Sequence, residues 1–361
     1  MEVRGAVCTL SGMSKTAFFA GRDVVRWGII GCGDVTEIKS GPGFQKATGS
    51  QLVAVMRRDA AKAADYAKRH GVPRWYADAD ALIADPEVDA IYVATPPDTH
   101  AHYAIKTAAA GKPAYVEKPM ARHWQECDRM VTAFAQAKLP LFVAYYRRRL
   151  PRFLLVEDFL KTGRLGTLTG VTYRYAAPFH LAGDSWRINA TSAGGGHFLD
   201  MGSHVVDLLD YLLGPLNGVT GRAKNLASNY AVEDAVALNF EAVGGVHGVG
   251  LWNFTSAARD DTMRFTGTLG EVTFSVFGND PVRLETAQGV ETFERPNPPH
   301  VAQPLIQSVV DDLLGRDECP STGVSAARAS RVMDTVLADY YGGRTDEFWT
   351  REDTWPGRRL G

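Results

Sequence analysis

From residue 24 to about residue 146, short apolar runs alternate with helix-patterned segments, and this alternation constrains the fold more than any other feature of the chain. Residues 24–30, followed by Gly31, read as a buried strand; 51–56, 90–94, 114–116 and 141–144 repeat the apolar pattern. Between them fall a helix after Gly31-Cys32-Gly33, a helix over 60–70 with Gly71 at its C-cap, a helix capped by Asp98 or Thr99 and closed by Gly111, and a helix over 124–137. Strands alternating with helices mean parallel βαβ units and a doubly wound α/β sheet.

Beyond a connecting helix over 152–161 the pattern changes. Residues 168–175, 235–241, 246–254, 263–268 and 271–277 are strand-like and separated by polar or glycine turns, which predicts one large, mostly antiparallel sheet. Helices over 200–213, 305–314 and 325–340 are expected to cover one of its faces. The chain therefore divides into residues 24–146 and 147–361, preceded by 1–23, read as a disordered tail. That segment lacks a sustained apolar core, so it is not read as a signal peptide, and Met13 would serve equally well as an initiator.

The 361 residues suffice for two cores, and a net charge of −2 provides no field to recruit nucleic acid or an anionic membrane. The basic run Arg147-Arg148-Arg149 is too short for a nucleic-acid patch. Cys8, Cys32, Cys127 and Cys319 form no CxxC pair and suggest no disulfide framework, so a reducing cytoplasm is expected. No apolar stretch is long enough to span a membrane.

Gly31 and Gly33 lie between a strand and a helix, the context in which such a pair admits a pyrophosphate to the backbone. Asp34 and Val35 open the helix, and Thr36 stands where a third glycine would complete the fingerprint. About 25 residues on, Arg57 and Arg58 follow the second strand, where an acid would bind a ribose hydroxyl. A guanidinium there suits a 2′-phosphate, so NADP(H) is favoured over NAD(H), against the plain reading of two solvated surface charges. Thr95, Pro96 and Pro97 follow a strand and should border the cofactor, while His100 reads as a packing or capping histidine.

Two clusters carry reactive groups. In Glu117-Lys118-Pro119 the proline biases the lysine to an extended backbone at a strand's end, which would fix its direction. In Gly194-Gly195-Gly196-His197-Phe198-Leu199-Asp200-Met201-Gly202-Ser203-His204 the spacing puts Asp200 and His204 on one helix face, where the carboxylate would orient the imidazole. A metal held by His197, Asp200 and His204 is the weaker alternative, and a capped amphipathic helix with a satisfied histidine is the plain one; no metal is expected. Tyr173, Tyr175, His180, Asp184, Trp186 and Arg187 mix aromatic and charged groups in a way that suits a polyhydroxylated ligand, with Phe179, Trp186 and Phe198 leaving a less polar ligand open.

The segments GIIGCGDVT, ATPPDTHAHYA, GKPAYVEKPMA, AYYRRRLPRF and GGGHFLDMGSHVVDLLDYLLG resemble those of the glucose–fructose oxidoreductase/inositol dehydrogenase (Gfo/Idh/MocA) family, over about residues 24–341. The resemblance implies an N-terminal Rossmann domain and a C-terminal α+β domain with an open-faced sheet, through which a dimer or tetramer would form. It implies a catalytic Lys118 followed by a cis Pro119, a substrate-side pair Asp200 and His204 with His204 as acid/base, and, from Arg57, the NADP-using branch. The expected activity is NAD(P)-dependent oxidation or reduction of a sugar, polyol or related cyclic compound. Tyr175, Trp186 and Arg187 are expected to contact that substrate; Gly31, Gly33, Asp34, Val35, Arg57, Arg58, Thr95, Pro96, Pro97, His100, Glu117 and Lys118 are expected at the cofactor. Competing readings are a dehydrogenase of non-sugar cyclic diols and a non-catalytic NAD(P)-binding sensor; retention of Lys118, Asp200 and His204 speaks against the sensor.

Overall fold

The computed structural model describes residues 18–178, 185–345 and 347–358. Six strands, β1 (Val25–Ile30), β2 (Ser50–Met56), β3 (Arg74–Tyr76), β4 (Ala90–Val93), β5 (Ala114–Val116) and β6 (Leu141–Val143), form a parallel sheet in the order β3-β2-β1-β4-β5-β6. The order reverses between β1 and β4, which opens a crevice at the carboxyl ends of these strands. The helices Ala79–Ala84, His100–Ala109 and Trp124–Ala137 pack on one face around Ile30, Ile91 and Val93.

The other face is closed in an unexpected way. The helix Gln303–Leu314 was expected on the large sheet. Its Leu305, Ile306, Val309 and Leu313 instead join Val25, Trp27, Phe44 and Tyr92 beneath β1 and β4. Of residues 1–23, expected as a disordered tail, 1–17 lie outside the described residues; the Phe19 N–H donates to Leu313 O (2.8 Å), and Arg22 pairs with Asp89 at 2.8 Å.

The second sheet has eight strands. They are β7 (Leu168–Pro178), β8 (Asn217–Lys224), β9 (Ala235–Glu241), β10 (His247–Asn253), β11 (Thr255–Gly267), β12 (Gly270–Phe274), β13 (Val282–Thr286) and β14 (Gly289–Phe293), in the order β14-β13-β12-β11-β7-β10-β9-β8. All neighbours are antiparallel except β7 and β10. Burial alternates along β9 and β10, so Val236, Leu238, Phe240 and Trp252 face the core while Val249 and Leu251 stay half exposed on the open face. The helices Ser203–Leu213 and Gly323–Tyr341 cover the inner face. Buried Arg148, in the turn Tyr146–Arg149, anchors that turn to the helix Ser203–Leu213 by holding Asp207 with two hydrogen bonds of 2.7 and 2.9 Å. The three-arginine run is therefore no surface patch: Arg147 and Arg148 are both buried. Among the described residues no helix is long and apolar enough to cross a membrane.

Candidate active site

The loops at the carboxyl edge of the parallel sheet carry the expected cofactor residues. Gly31 adopts φ +93°, and a Cβ there would stand 2.8 Å from Thr95 Cγ2 and 3.0 Å from the Ala94 backbone, so this position needs glycine twice over. A Cβ on Gly33 would meet nothing nearer than Gly31 O at 3.9 Å. The turn thus presses on one side against the loop after β4 and stays open on the other, the shape a pyrophosphate requires. Thr36 fills the third glycine position without blocking it: its hydroxyl donates back to Gly33 O (2.7 Å), and Tyr66 OH donates to Thr36 O (2.9 Å). The helix expected after the turn is broken into Asp34–Ile38 and Gly41–Lys46, where Pro42 in the first turn of the second segment lacks the N–H that would continue the first, and Gly41 packs against Thr36 O and Tyr66 where any side chain would collide. Arg57 Nη1 donates to Cys32 O at 3.3 Å, which brings the guanidinium over the glycine turn, while Arg58 points to solvent. These residues fit a dinucleotide, with Arg57 available to a 2′-phosphate.

His100 is fully buried and reaches the loops rather than the crevice. Its ring nitrogens lie 3.0 Å from Pro119 O and 2.7 Å from Thr95 O, joining the loop after β4 to the loop after β5. Glu117 accepts from Tyr92 OH (2.5 Å) and from the Lys118 N–H (3.0 Å); burial pushes its carboxyl above the ordinary value although the Tyr92 bond opposes this. The Lys118–Pro119 peptide is cis.

Lys118 crosses to the other half of the molecule. Its ammonium pairs with Asp200 Oδ1 and donates to the Asp200 carbonyl at 3.1 Å. Arg187 Nε approaches the other carboxylate oxygen at 3.3 Å and stacks 4.6 Å over Trp186. Burial alone would raise the Asp200 carboxyl, but the nearby charges of Lys118 and Arg187 prevail and hold it below the usual carboxylate value.

The expected orientation of His204 by Asp200 is corrected here. Phe198–Gly202 is a π-helical turn rather than the start of an α-helix, and the Asp200 carboxylate is taken up by Lys118 and Arg187. His204 sits instead among aromatic rings, with centroids 5.9 Å from Tyr145, 5.2 Å from Tyr146 and 6.2 Å from Phe277. Burial, together with the charges of Arg147, Lys118 and Lys39, holds its pKa well below 6.5, so the imidazole is neutral near pH 7.

The remaining calls divide. Tyr175 is buried, with its hydroxyl 3.5 Å from Met201 Sδ and its ring 5.5 Å from Phe277, on the wall that His204 also faces. Tyr173 is structural: its hydroxyl donates to Asp261 (2.9 Å) inside the sheet core. The His197 ring packs against Tyr230 and Phe254, within reach of the Asp200 charge. Among the described residues no three His, Cys, Asp or Glu side chains are grouped to hold a metal. Phe179, His180 and Asp184 lie outside the described residues.

Sequence reasoning missed the supports of this site. Gly196 N–H donates to buried Glu233 (3.0 Å), and buried Arg344 donates to Gly194 O (2.7 Å) and Arg122 O (2.6 Å), locking the triple glycine against the segment after Lys118. Tyr146, Arg147 and Phe277 were also missed as walls of the histidine pocket. The only hint was that aromatic residues flank the arginine run.

Residues 25–145 match the family model described as an oxidoreductase family with an NAD-binding Rossmann fold, and 153–273 match the GFO/IDH/MocA C-terminal domain. The chain is 34% identical to Oxidoreductase P35 of Formosa agariphila, over 86% of this chain and 97% of that protein. It is 29% identical to the 1,5-anhydro-D-fructose reductase of Ensifer adhaerens, over 74% and 80%. Its fold matches that of an aldose-aldose oxidoreductase from Caulobacter crescentus, solved with glycerol, with a TM-score of 0.77 at 24% identity over 86% and 95%.

Proposed function

The chain belongs to the Gfo/Idh/MocA oxidoreductase family, and within it we propose an enzyme that interconverts a CH–OH group and a carbonyl on a sugar or polyol, using NADP(H) in preference to NAD(H). The observation that carries this reading is the contact of Lys118, from the parallel sheet, with Asp200, from the other half, beside a buried neutral histidine. The 1,5-anhydro-D-fructose reductase relative supports a sugar-like substrate. Arg57 over the glycine turn supports the phosphorylated nucleotide.

Gly31 and Gly33 would hold the pyrophosphate and Arg57 the 2′-phosphate, with the loops at Thr95 and Glu117 at the crevice rim. The bound nicotinamide supplies the two-electron chemistry. Asp200 and its own carbonyl aim the Lys118 ammonium, which steadies negative charge on the reacting oxygen. His204, neutral in the folded protein, takes the hydroxyl proton during oxidation and returns it during reduction. Self-association through the open sheet face, where Val249 and Leu251 are each 49% exposed, completes the proposal.

Absorbance at 340 nm, followed with a panel of pyranoses, polyols, ketoses and cyclic diols and with either nucleotide, tests the reading. Turnover of a sugar or polyol, faster with NADP(H), is expected. Preference for non-sugar diols would move the substrate class, and nucleotide binding without turnover of any compound would leave a sensor.

A further inference from the structure

We propose that the substrate carries a carboxylate, as in a uronate, an aldonate or another sugar acid, and that Arg147 binds it. This rests on the oxidoreductase reading above and narrows its substrate class.

Arg147 is only 7% exposed. Its Nε donates to Val276 O at 3.1 Å, yet its Nη1 is buried with no hydrogen-bond partner, and no carboxylate among the described residues pairs with it. The neighbouring cases differ. Buried Arg148 has Asp207, at 2.7 Å, and buried Arg344 has Asp334, also at 2.7 Å. Buried Arg152 has no carboxylate among the described residues either, but it donates to Ser275 O, Ser275 Oγ and Gly278 O, three acceptors against the single one of Arg147. A guanidinium stays charged wherever it is placed, so burial without a counter-ion is costly, and only part of that cost is offset by aromatic faces.

The place of this uncompensated cation matters. Its Cζ lies 4.4 Å from the centroid of Phe277 and 5.0 Å from that of Tyr146. The same two rings flank His204, at 6.2 and 5.2 Å, and His204 Nδ1 is likewise buried without a partner. Guanidinium and imidazole therefore share one aromatic enclosure. Around it Lys118 and Arg187 share the Asp200 carboxylate, and the Asp261 carboxylate is taken up by the Tyr173 hydroxyl and the N–H groups of Val276, Phe277 and Gly278, so neither pairs with Arg147. A planar substrate carboxylate matches the arginine fork and supplies the missing charge. A neutral sugar would leave the Arg147 N–H unsatisfied.

The test compares kcat/KM for matched pairs, glucose with glucuronate and gluconate and galactose with galacturonate, in the wild type, Arg147→Met and Arg147→Lys. Thermal melting and NADPH affinity serve as fold controls. The expected result is a wild-type preference for a carboxylated member of at least ~100-fold, reduced at least ~30-fold in Arg147→Met and partly retained in Arg147→Lys, in line with sites built to pair a polar group. Wild-type preference for the neutral members, or a ratio unchanged in Arg147→Met, overturns the proposal. Should Arg147→Met fail to fold, the ratio in Arg147→Lys decides. If no compound is turned over, calorimetric titration of glucuronate and gluconate into the NADP-bound protein separates the two readings. Binding lost in the Arg147 variants supports the carboxylate site while the redox reading fails; no binding to the wild type sinks the carboxylate site as well.

Discussion

Replacing Lys118 by alanine tests the centre of the proposed site, because the loss divides into two parts of different size. A positioned donor that steadies charge on the reacting oxygen contributes about 10²–10³ in rate, or roughly 2.7–4 kcal/mol of barrier at 1.36 kcal/mol per decade. The stability cost is smaller. The Lys118 and Asp200 side chains are 16% and 22% exposed, so they are largely but not wholly removed from water. Stripping one partner from a fully buried pair costs about 3–5 kcal/mol. Here Arg187 still approaches Asp200 at 3.3 Å, and partial exposure screens what remains. A loss of roughly 1–2 kcal/mol is therefore expected, a few degrees in Tm. Nucleotide affinity should change less than about threefold, since Gly31, Gly33 and Arg57 do not touch the ammonium. Steady-state rates at 340 nm, NADPH titration by fluorescence and thermal melting separate the three quantities. The double variant Lys118→Ala/Asp200→Ala should recover stability but not rate, because the stranded carboxylate is gone while the ammonium at the reacting oxygen stays lost. A folded Lys118→Ala protein turning over within tenfold of the wild type refutes the assignment. So does a nucleotide affinity that falls in parallel with the rate.

Arg57→Ala should weaken NADPH about 10–100-fold and NADH less than threefold, from the ~1.5–3 kcal/mol of a charge-assisted contact; equal losses would make Arg57 a support of the turn. His204→Gln should flatten the acid limb of the stability curve. With the folded pKa held below 6.5 by burial, the unfolded chain alone takes up this proton as pH falls under 6.5, and stability drops by up to ~1.4 kcal/mol per pH unit. Asp207, raised to about 6 from 3.8, acts in the opposite sense below pH 6, so the comparison is between variant and wild type in urea melts from pH 5 to 7, and identical slopes count against a buried neutral His204. Val249→Lys with Leu251→Lys, on the open face, should convert the assembly to monomers by light scattering, and a wild type that is already monomeric would remove the proposed interface.

Sequence pattern located elements where local chemistry suffices and failed where a partner decides. The helix Ala60–His70 with left-handed Gly71 (φ +65°), the strand Ala114–Val116, the helix Trp124–Ala137 and the strand Ala235–Glu241 appear with the bounds expected. Each carries its own signal in apolar phase, a cap or a breaker. The strands Arg74–Tyr76, Asn217–Lys224 and Gly289–Phe293 went unread, and all three lie at sheet edges, with Val282–Thr286 next to the last of them. An edge strand buries less of itself, so its sequence need not alternate; Asn217–Lys224 has a single fully buried residue. The amphipathic helix Gln303–Leu314 was found but assigned to the wrong surface, since its apolar stripe would suit either sheet.

The candidate site divides along the same line. The glycine turn, Arg57 and Lys118 were legible because a strand end aims each of them at the crevice. Asp200 was named, but its partner was not: spacing pointed to His204 four residues away, whereas the carboxylate is held by an ammonium 82 residues distant. From the sequence, Arg147 reads only as part of a basic run too short for a nucleic-acid patch. Burying a cation is costly unless the surroundings supply an opposing charge or a full set of acceptors. For Arg148 the fold supplies it, through Asp207. For Arg147 it supplies two aromatic faces and one carbonyl. The substrate carboxylate proposed above would supply the charge that the fold does not.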